Sequence, residues 1–239
     1  MDSTLAAQVS GLFFLAGVFV FGRYLRISPS GHPRRWLSAA AGASVAYVFV
    51  RALPEMSEAQ DTFTRVTFDR GLPFLELHVY TAGLIGFLFF YGLEHMVSRS
   101  GQKDVGEGAR LGYRLQLGGF AAYSGLVGYL MVHQGTLPTL LYVVAMALHF
   151  LSIDHSLGRE YGAAYHRVGR WVLAAAVLLG GATGIATSMS EALLATLLGL
   201  NSGGVIINSM IMELPREKEA RFWPFCFGAV AYSVLLLLV

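Results

Sequence analysis

The chain alternates between long apolar runs and short polar connections. A helix that crosses a bilayer needs about 20 mostly apolar residues. Eight runs pass this test, at residues 5–25, 36–54, 73–96, 114–133, 138–157, 169–189, 191–213 and 222–239. The pattern predicts an all-α bundle of about eight transmembrane helices, in a single domain over residues 1–239. The first run has no basic residues before it, and Arg23 and Arg26 follow it, so we expect a retained helix and not a secretory signal.

Composition supports a membrane protein. Charged residues make up 13% of the 239 residues, about half of their share in a soluble domain, and 55% of the residues are hydrophobic. The lone Cys226 excludes an internal disulfide and any cysteine-based metal cluster. We therefore expect an integral protein of a bacterial inner (plasma) membrane. Its expected partners are the lipid bilayer, a cation or small solute and a second copy of the chain, and no nucleic acid.

The basic residues predict the orientation of the helices, because Lys and Arg are enriched in short cytoplasmic connections. With the N-terminus outside, only Arg51, Arg65 and Arg70 of the 17 basic residues fall on the outer side. The other fourteen fall in four inner connections. Eight helices then place the C-terminus outside as well.

Two of the apolar runs contain similar sequences. Residues 41–55 and 202–216 both begin with small residues, and each has a Leu-Pro pair whose proline lies twelve residues after a glycine. Proline cannot continue a helical hydrogen-bond ladder, so both helices are predicted to end there. Because the two runs cross in opposite directions, the match indicates an inverted repeat, as in many secondary transporters. A chance match between two short apolar segments is the alternative.

Three apolar segments contain glycines at their start: AGASVAYVFVRALPEM (residues 41–56), GLIGFLFFYGLEHMV (residues 83–97) and GLNSGGVIINSMIMELPRE (residues 199–217). In this order they resemble the second, third and seventh helices of the ZIP family of divalent-metal transporters. The resemblance implies an eight-helix, inverted-repeat fold and transport of a divalent cation such as Zn²⁺.

The fourth and fifth helices depart from the family's metal-binding motifs. Residues 123–128 keep the glycine of the motif and none of its ligands. In residues 153–158 only His155 remains from the ligand set, and Asp154 replaces a proline. A Zn²⁺ site needs several nitrogen, oxygen or sulfur donors that converge on the ion. The family's own metal site is therefore predicted to be absent, and fold resemblance alone does not carry the function.

Ionisable residues within a bilayer are costly and suggest function. Near the outer surface we expect Arg51, Glu76 and His78, either as an Arg51–Glu76 surface pair or as an access vestibule. Near the inner surface, four groups could meet: Glu94 or His95, Asp154, His155 and Glu213. They would either pair with neighbouring arginines or form a weak cation or proton site.

Two residues at other positions complete the candidates. His149 lies on a different face of the fifth helix from His155. Asn208 lies near the middle of the seventh helix and forms one stripe with Asn201. Its amide would serve either as a helix–helix hydrogen bond or as a ligand.

The main hypothesis is a divergent ZIP-like carrier of a cation or small solute, with Asn208, His155, Asp154 and Glu213 as its metal-site candidates. The alternative is a membrane scaffold or partner subunit that transports nothing. A third hypothesis is a redox protein that binds haem through two of the histidines His78, His95, His133 and His149. We predict no enzymatic activity, because the chain contains no His-Glu-x-x-His, Gly-x-Ser-x-Gly or phosphate-loop motif.

Overall fold

The computed structural model describes residues 3–22, 33–67, 78–100, 107–133, 136–209 and 221–238. These ranges are helical and contain no strand, which confirms the all-α prediction. The helices are α1 (Ser3–Phe21), α2 (Pro33–Tyr47), α3 (Leu53–Thr67), α4 (His78–Ser100), α5 (Glu107–Met131), α6 (Thr136–Ala164), α7 (Arg170–Ala186), α8 (Glu191–Asn208) and α9 (Phe222–Leu237).

The prediction that the second helix ends at Leu-Pro is wrong. A π-helical turn, Val48–Ala52, joins α2 directly to α3, which continues to Thr67. Pro54 has no N–H and its ring crowds the carbonyl one turn earlier. The backbone adapts by a wider turn, in which the Leu53 N–H donates to the Val48 carbonyl oxygen. The proline therefore deforms this helix without ending it.

A second π-helical turn, Tyr165–Gly169, joins α6 to α7, so one continuous stretch covers two of the predicted runs. Within α6, Gly162 has φ of +50°, a conformation that favours glycine. Tyr165 Oη lies 2.7 Å from Asp154 Oδ1, whereas a straight helix would separate these residues by about 16 Å. The chain therefore turns back at Gly162, and α6 and α7 both pack against α1.

Three described helical stretches are long and apolar enough to cross a membrane: Thr4–Phe21, Tyr142–Ala186 and Glu191–Asn208. The second of these contains the reversal at Gly162. Phe222–Leu237 is apolar but shorter. These stretches are compatible with a membrane protein, and the count of eight crossings stays a prediction.

Helices α2 and α9 pack through glycines. A Cβ atom added at Gly42 would lie 2.0 Å from the carbonyl oxygen of Phe225, and one added at Gly228 would lie 2.0 Å from that of Ala39. Only glycine permits backbones to approach so closely, as in helix pairs within membranes.

Helices α4 and α8 pack in the same way. A Cβ atom added at Gly203 would lie 1.8 Å from the carbonyl oxygen of Gly83, and one at Gly86 would lie 2.1 Å from that of Leu200. On each helix of both pairs, the two contacting residues are three positions apart. The α2–α9 and α4–α8 contacts therefore have the same register.

Helices α5 and α7 pack with this register too, through Gly128 and Gly180, so the agreement with the sequence repeat lies in which residues make the contacts. The alignment of residues 41–55 with 202–216 places Gly42 opposite Gly203 and Val48 opposite Ser209. Val48 begins the π-helical turn of α2, and Ser209 is also π-helical. Up to Ser209, where the described part of the second segment ends, the two segments are thus similar in backbone conformation and in packing.

Candidate functional site

Helix α8 carries two buried amides on one face. Asn201 and Asn208 are seven residues apart, which is close to two full turns, and both side chains are buried. Each lines a small cavity against neighbouring helices, and Gly204 lies between them along the helix. These are the cavities that we consider as the candidate site.

The first, which we name the Asn201 cavity, lies between α8, α5, α6 and the α2–α3 junction. It has room for about one water molecule. Its lining residues are Tyr47, Ala52, Glu55, Leu130, Tyr142, Leu198, Asn201, Ser202 and Val205.

Two polar atoms of the Asn201 cavity lie on neighbouring side chains and lack a partner with full hydrogen-bond geometry within the described part of the chain. They are Asn201 Oδ1 and the hydroxyl of Tyr142. Glu55 is paired, because the guanidinium of Arg51 donates to its Oε1 at 2.5 Å. Buried polar atoms nearly always have a partner in proteins, so a ligand or a water molecule is expected here.

The second cavity, which we name the Asn208 cavity, lies between α4, α5 and α8. It also has room for about one water molecule. Its lining residues are Phe90, Leu93, Glu94, Gln116, Phe120, Ile207 and Asn208.

A chain of hydrogen bonds crosses the Asn208 cavity. The hydroxyl of Tyr161 donates to Gln116 Oε1, and Gln116 Nε2 donates to Glu94 Oε2 at 3.4 Å. This chain links α4, α5 and the end of α6 next to the reversal at Gly162. Asn208 Nδ2 has no partner among the residues that the structure describes.

An aromatic layer contacts α8 between the two cavities. The hydroxyl of Tyr123 and Nε2 of His149 are hydrogen-bonded at 3.1 Å, and both residues are buried. The ring of Phe90 packs edge-on against Tyr123, with ring centroids 5.3 Å apart. Both rings meet α8 at Gly204, where an added Cβ would lie 3.0 Å from Phe90 and 3.1 Å from Tyr123. The layer therefore separates the two cavities.

The predicted metal-site residues occupy different environments. Asp154 is buried and accepts the hydrogen bond from Tyr165, whereas His155 is exposed. Asn208 lines its cavity, and Glu213 lies outside the described residues. In the described ranges no three His, Cys, Asp or Glu side chains form a group that could hold a metal ion.

The predicted Arg51–Glu76 pair stays a prediction. Arg51 pairs with Glu55, one turn along its own helix, and Glu76 lies outside the described residues. The Arg51 guanidinium therefore borders the Asn201 cavity through Glu55.

The remaining histidine candidates are separately engaged. His78 stacks on Phe63, with ring centroids 4.3 Å apart, and lies 3.2 Å from the hydroxyl of Thr196. His95 is exposed beside Tyr91. His149 belongs to the aromatic layer. Neither cavity has space for a haem.

Five polar lining residues of the two cavities are absent from the sequence-based candidates: Tyr47, Glu55, Gln116, Tyr142 and Ser202. Tyr161, which donates to Gln116, is absent from them as well. A glutamine within an apolar run is a detectable signal, and Gln116 meets that description. The tyrosines give no such signal, because tyrosine is common in apolar helices and at their ends.

No protein-family model matches the chain, and no curated protein matches it.

Proposed function

We propose that the chain is an eight-helix integral membrane protein with both termini outside and a ZIP-like inverted repeat, which carries a cation or small solute across a bacterial inner membrane. The observation that carries this proposal is the placement of two polar cavities on one face of α8, with a single aromatic layer between them. A carrier requires a site that opens alternately to the two sides, and such sites lie between repeats near the middle of the bilayer.

The packing supports a moving-bundle mechanism. The glycine contacts make α2–α9 and α4–α8 two closely packed pairs of equal register. Each pair can therefore move as a unit against the bundle of α1, α5, α6 and α7. In that motion Gly204 and Phe90 would move together away from the ring of Tyr123 on α5, and the two cavities would join.

The groups that line the cavities determine which class of solute could bind. They offer carboxylate, amide and hydroxyl groups, and their volume restricts the solute to a few atoms. The imidazole of His149 is hydrogen-bonded to Tyr123 between them. This set favours a small cation and differs from the ligand set of the ZIP family, so the proposed carrier has diverged from Zn²⁺ transport.

Uptake by proteoliposomes tests the proposal. Purified protein would be reconstituted, and entry of ²²Na⁺, ⁵⁴Mn²⁺ and ⁶⁵Zn²⁺ would be compared with that into empty liposomes. We expect uptake of at least one ion, and a tenfold or greater loss in Asn208→Leu. Ser10→Ala, on the exposed side of α1, serves as the matched control and should retain uptake.

A membrane scaffold is the second candidate, and the closed aromatic layer favours it. The hydrogen bond between Tyr123 and His149 holds the Tyr123 ring against Gly204, between the two cavities. If Tyr123→Ala and the unmodified protein both leave every ion at the level of empty liposomes, the carrier proposal is rejected in favour of the scaffold.

A further inference from the structure

We propose that the Asn201 cavity binds a single hard monovalent cation without its hydration shell, with Na⁺ as the first candidate. The proposal deepens the proposed carrier function and rests on it for one point, that the bound ion is the transported or coupling ion. The binding itself is argued from the cavity alone.

The donors of the cavity are oxygens. Glu55 supplies a carboxylate, Tyr142 and Ser202 supply hydroxyls, and Asn201 supplies an amide oxygen. The lining contains no histidine or cysteine. Hard cations select such oxygen donors, whereas Zn²⁺ and other borderline or soft metals select nitrogen and sulfur.

Two of these oxygens have unused bonding capacity. Tyr142 and Asn201 are each 5% exposed, and the Tyr142 hydroxyl lies beside the Asn201 side chain. Neither that hydroxyl nor Asn201 Oδ1 has a partner with full hydrogen-bond geometry within the described ranges. Leaving a buried polar atom unpaired is costly. A cation in the cavity would use both oxygens at once.

Charge favours a monovalent ion. The single carboxylate, Glu55, already pairs with Arg51 through Oε1, and its Oε2 remains as a second ligand position. The ion pair leaves the cavity close to neutral. A divalent ion would bring two positive charges to this carboxylate, whose own charge Arg51 already balances, in a region of low dielectric constant.

The volume of the Asn201 cavity also favours a single monovalent ion. The cavity has room for about one water molecule, which suits one bare ion and no retained shell. Mg²⁺ gives up its waters reluctantly and usually keeps several of them. The cavity volume thus disfavours Mg²⁺ and leaves Na⁺.

The adjacent backbone is deformed. The π-helical turn Val48–Ala52 borders the cavity, since Ala52 and the preceding Tyr47 both line it. Such turns occur frequently at functional sites in helices. In sodium-coupled carriers, backbone carbonyls freed from regular helical bonding coordinate the ion. Pro54 has no N–H to donate within this turn, so the deformed backbone next to the cavity is where such a carbonyl ligand would be sought.

Binding of Na⁺ alone is the test. Thermal unfolding of the full chain in detergent would be followed in NaCl and in choline chloride at equal ionic strength, together with ²²Na⁺ binding. A ligand at ten times its Kd should raise the Tm by about 3 °C. We expect Asn201→Leu to abolish the rise, and Asn208→Leu to retain it. The second variant is a matched control, with the same change on the same face two turns away.

Tyr142→Phe keeps the ring and removes one oxygen. It tests whether the Asn201 cavity binds Na⁺ if Asn201→Leu does not fold. It should weaken ²²Na⁺ binding about tenfold, the amount expected for one lost ligand or hydrogen bond. The proposal is overturned if the unmodified protein binds no ²²Na⁺ and unfolds at one temperature in both salts. It is also overturned if Asn208→Leu loses binding as fully as Asn201→Leu.

The two proposals fail separately. Na⁺ binding without flux of any ion would reject the carrier and keep the site. Flux without Na⁺ binding would reject the site and keep the carrier.

Discussion

The Asn201 and Asn208 cavities are alike in size and differ in how their polar groups are satisfied. In the Asn208 cavity, Tyr161, Gln116 and Glu94 form a continuous chain of hydrogen bonds. In the Asn201 cavity, the two buried oxygens have no such partner among the described residues. A satisfied polar network makes a protein interior rigid, and an unsatisfied one is a place for a ligand. The Asn201 cavity therefore offers two oxygens to an ion, whereas in the Asn208 cavity Gln116 and Glu94 are already bonded and only Asn208 Nδ2 lacks a partner among the described residues.

The largest effect should come from a change that disturbs both cavities together. Gly203→Ala places a Cβ atom against the Gly83 carbonyl and pushes α8 away from α4. We expect a loss of about 3 kcal/mol in the free energy of unfolding, measured by denaturation in SDS.

Gly118→Ala is the control for this substitution, because an added Cβ there meets nothing within 4 Å. It should leave stability unchanged or raise it by up to about 1 kcal/mol, the difference in helix propensity. Equal losses in the two variants would contradict the close-packing argument.

Gln116→Leu should destabilise the hydrogen-bond network of the Asn208 cavity and leave the Asn201 cavity unaffected. It removes the Oε1 atom that accepts from the Tyr161 hydroxyl and the Nε2 group that donates to Glu94. The expected loss is about 2 kcal/mol in the same unfolding measurement. Tyr161→Phe, which removes only the terminal donor, should cost about half as much. A neutral Gln116→Leu would show that this chain of hydrogen bonds does not stabilise the fold.

Asn208→Leu should have a smaller effect than Gln116→Leu in the same cavity. The Asn208 Nδ2 group has no partner within the described ranges, so its removal breaks no bond at that atom. We expect a change below about 1 kcal/mol in the free energy of unfolding. A loss as large as that of Gln116→Leu would place Asn208 within the structural network and weaken the contrast between the cavities.

The smallest effect should be that of Tyr142→Phe in choline chloride. Its hydroxyl has no partner in the described part of the chain, so stability should change by less than about 0.5 kcal/mol. The same variant should show its effect only when Na⁺ is added. A marked loss of stability without Na⁺ would mean that the hydroxyl is already satisfied.

The helical class of the fold follows from the sequence, because apolar run length and glycine pairs are local signals. The match between residues 41–55 and 202–216 also locates the glycines through which α2 and α8 pack. The helices against which α2 and α8 pack cannot be predicted from the sequence. The contacts of Gly42 with Phe225 and of Gly203 with Gly83 join distant parts of the chain.

The two corrected features have physical reasons. The sequence predicts that Pro54 ends its helix. In the structure a π-helical turn accommodates the missing N–H of Pro54, which disrupts the helix less than a break in the chain of hydrogen bonds would. The sequence predicts an ordinary polar connection between the runs that end at residue 157 and begin at residue 169, and the structure has the reversal at Gly162 there. Helical hydrogen bonds continue on both sides of it, because glycine alone can take the positive φ that the turn requires.

The candidate site was only partly predictable. The seven-residue spacing of Asn201 and Asn208 marks one face of α8, and this stripe was recognised. Periodicity also separated Asp154 from His155 by about a hundred degrees. It does not show which of the two faces inward, because that depends on the position of Tyr165 after the reversal.

The inverted repeat that we propose implies an origin for the glycine contacts of α2–α9 and α4–α8. An ancestral half-length polypeptide that inserted into the bilayer in both orientations would form both contacts at once, as an antiparallel dimer. Gene duplication and fusion would then fix one copy in each direction. On this history, a mutation at Gly42 has an equivalent at Gly203 in the other half. The two halves would be free to acquire different polar residues only away from these contacts.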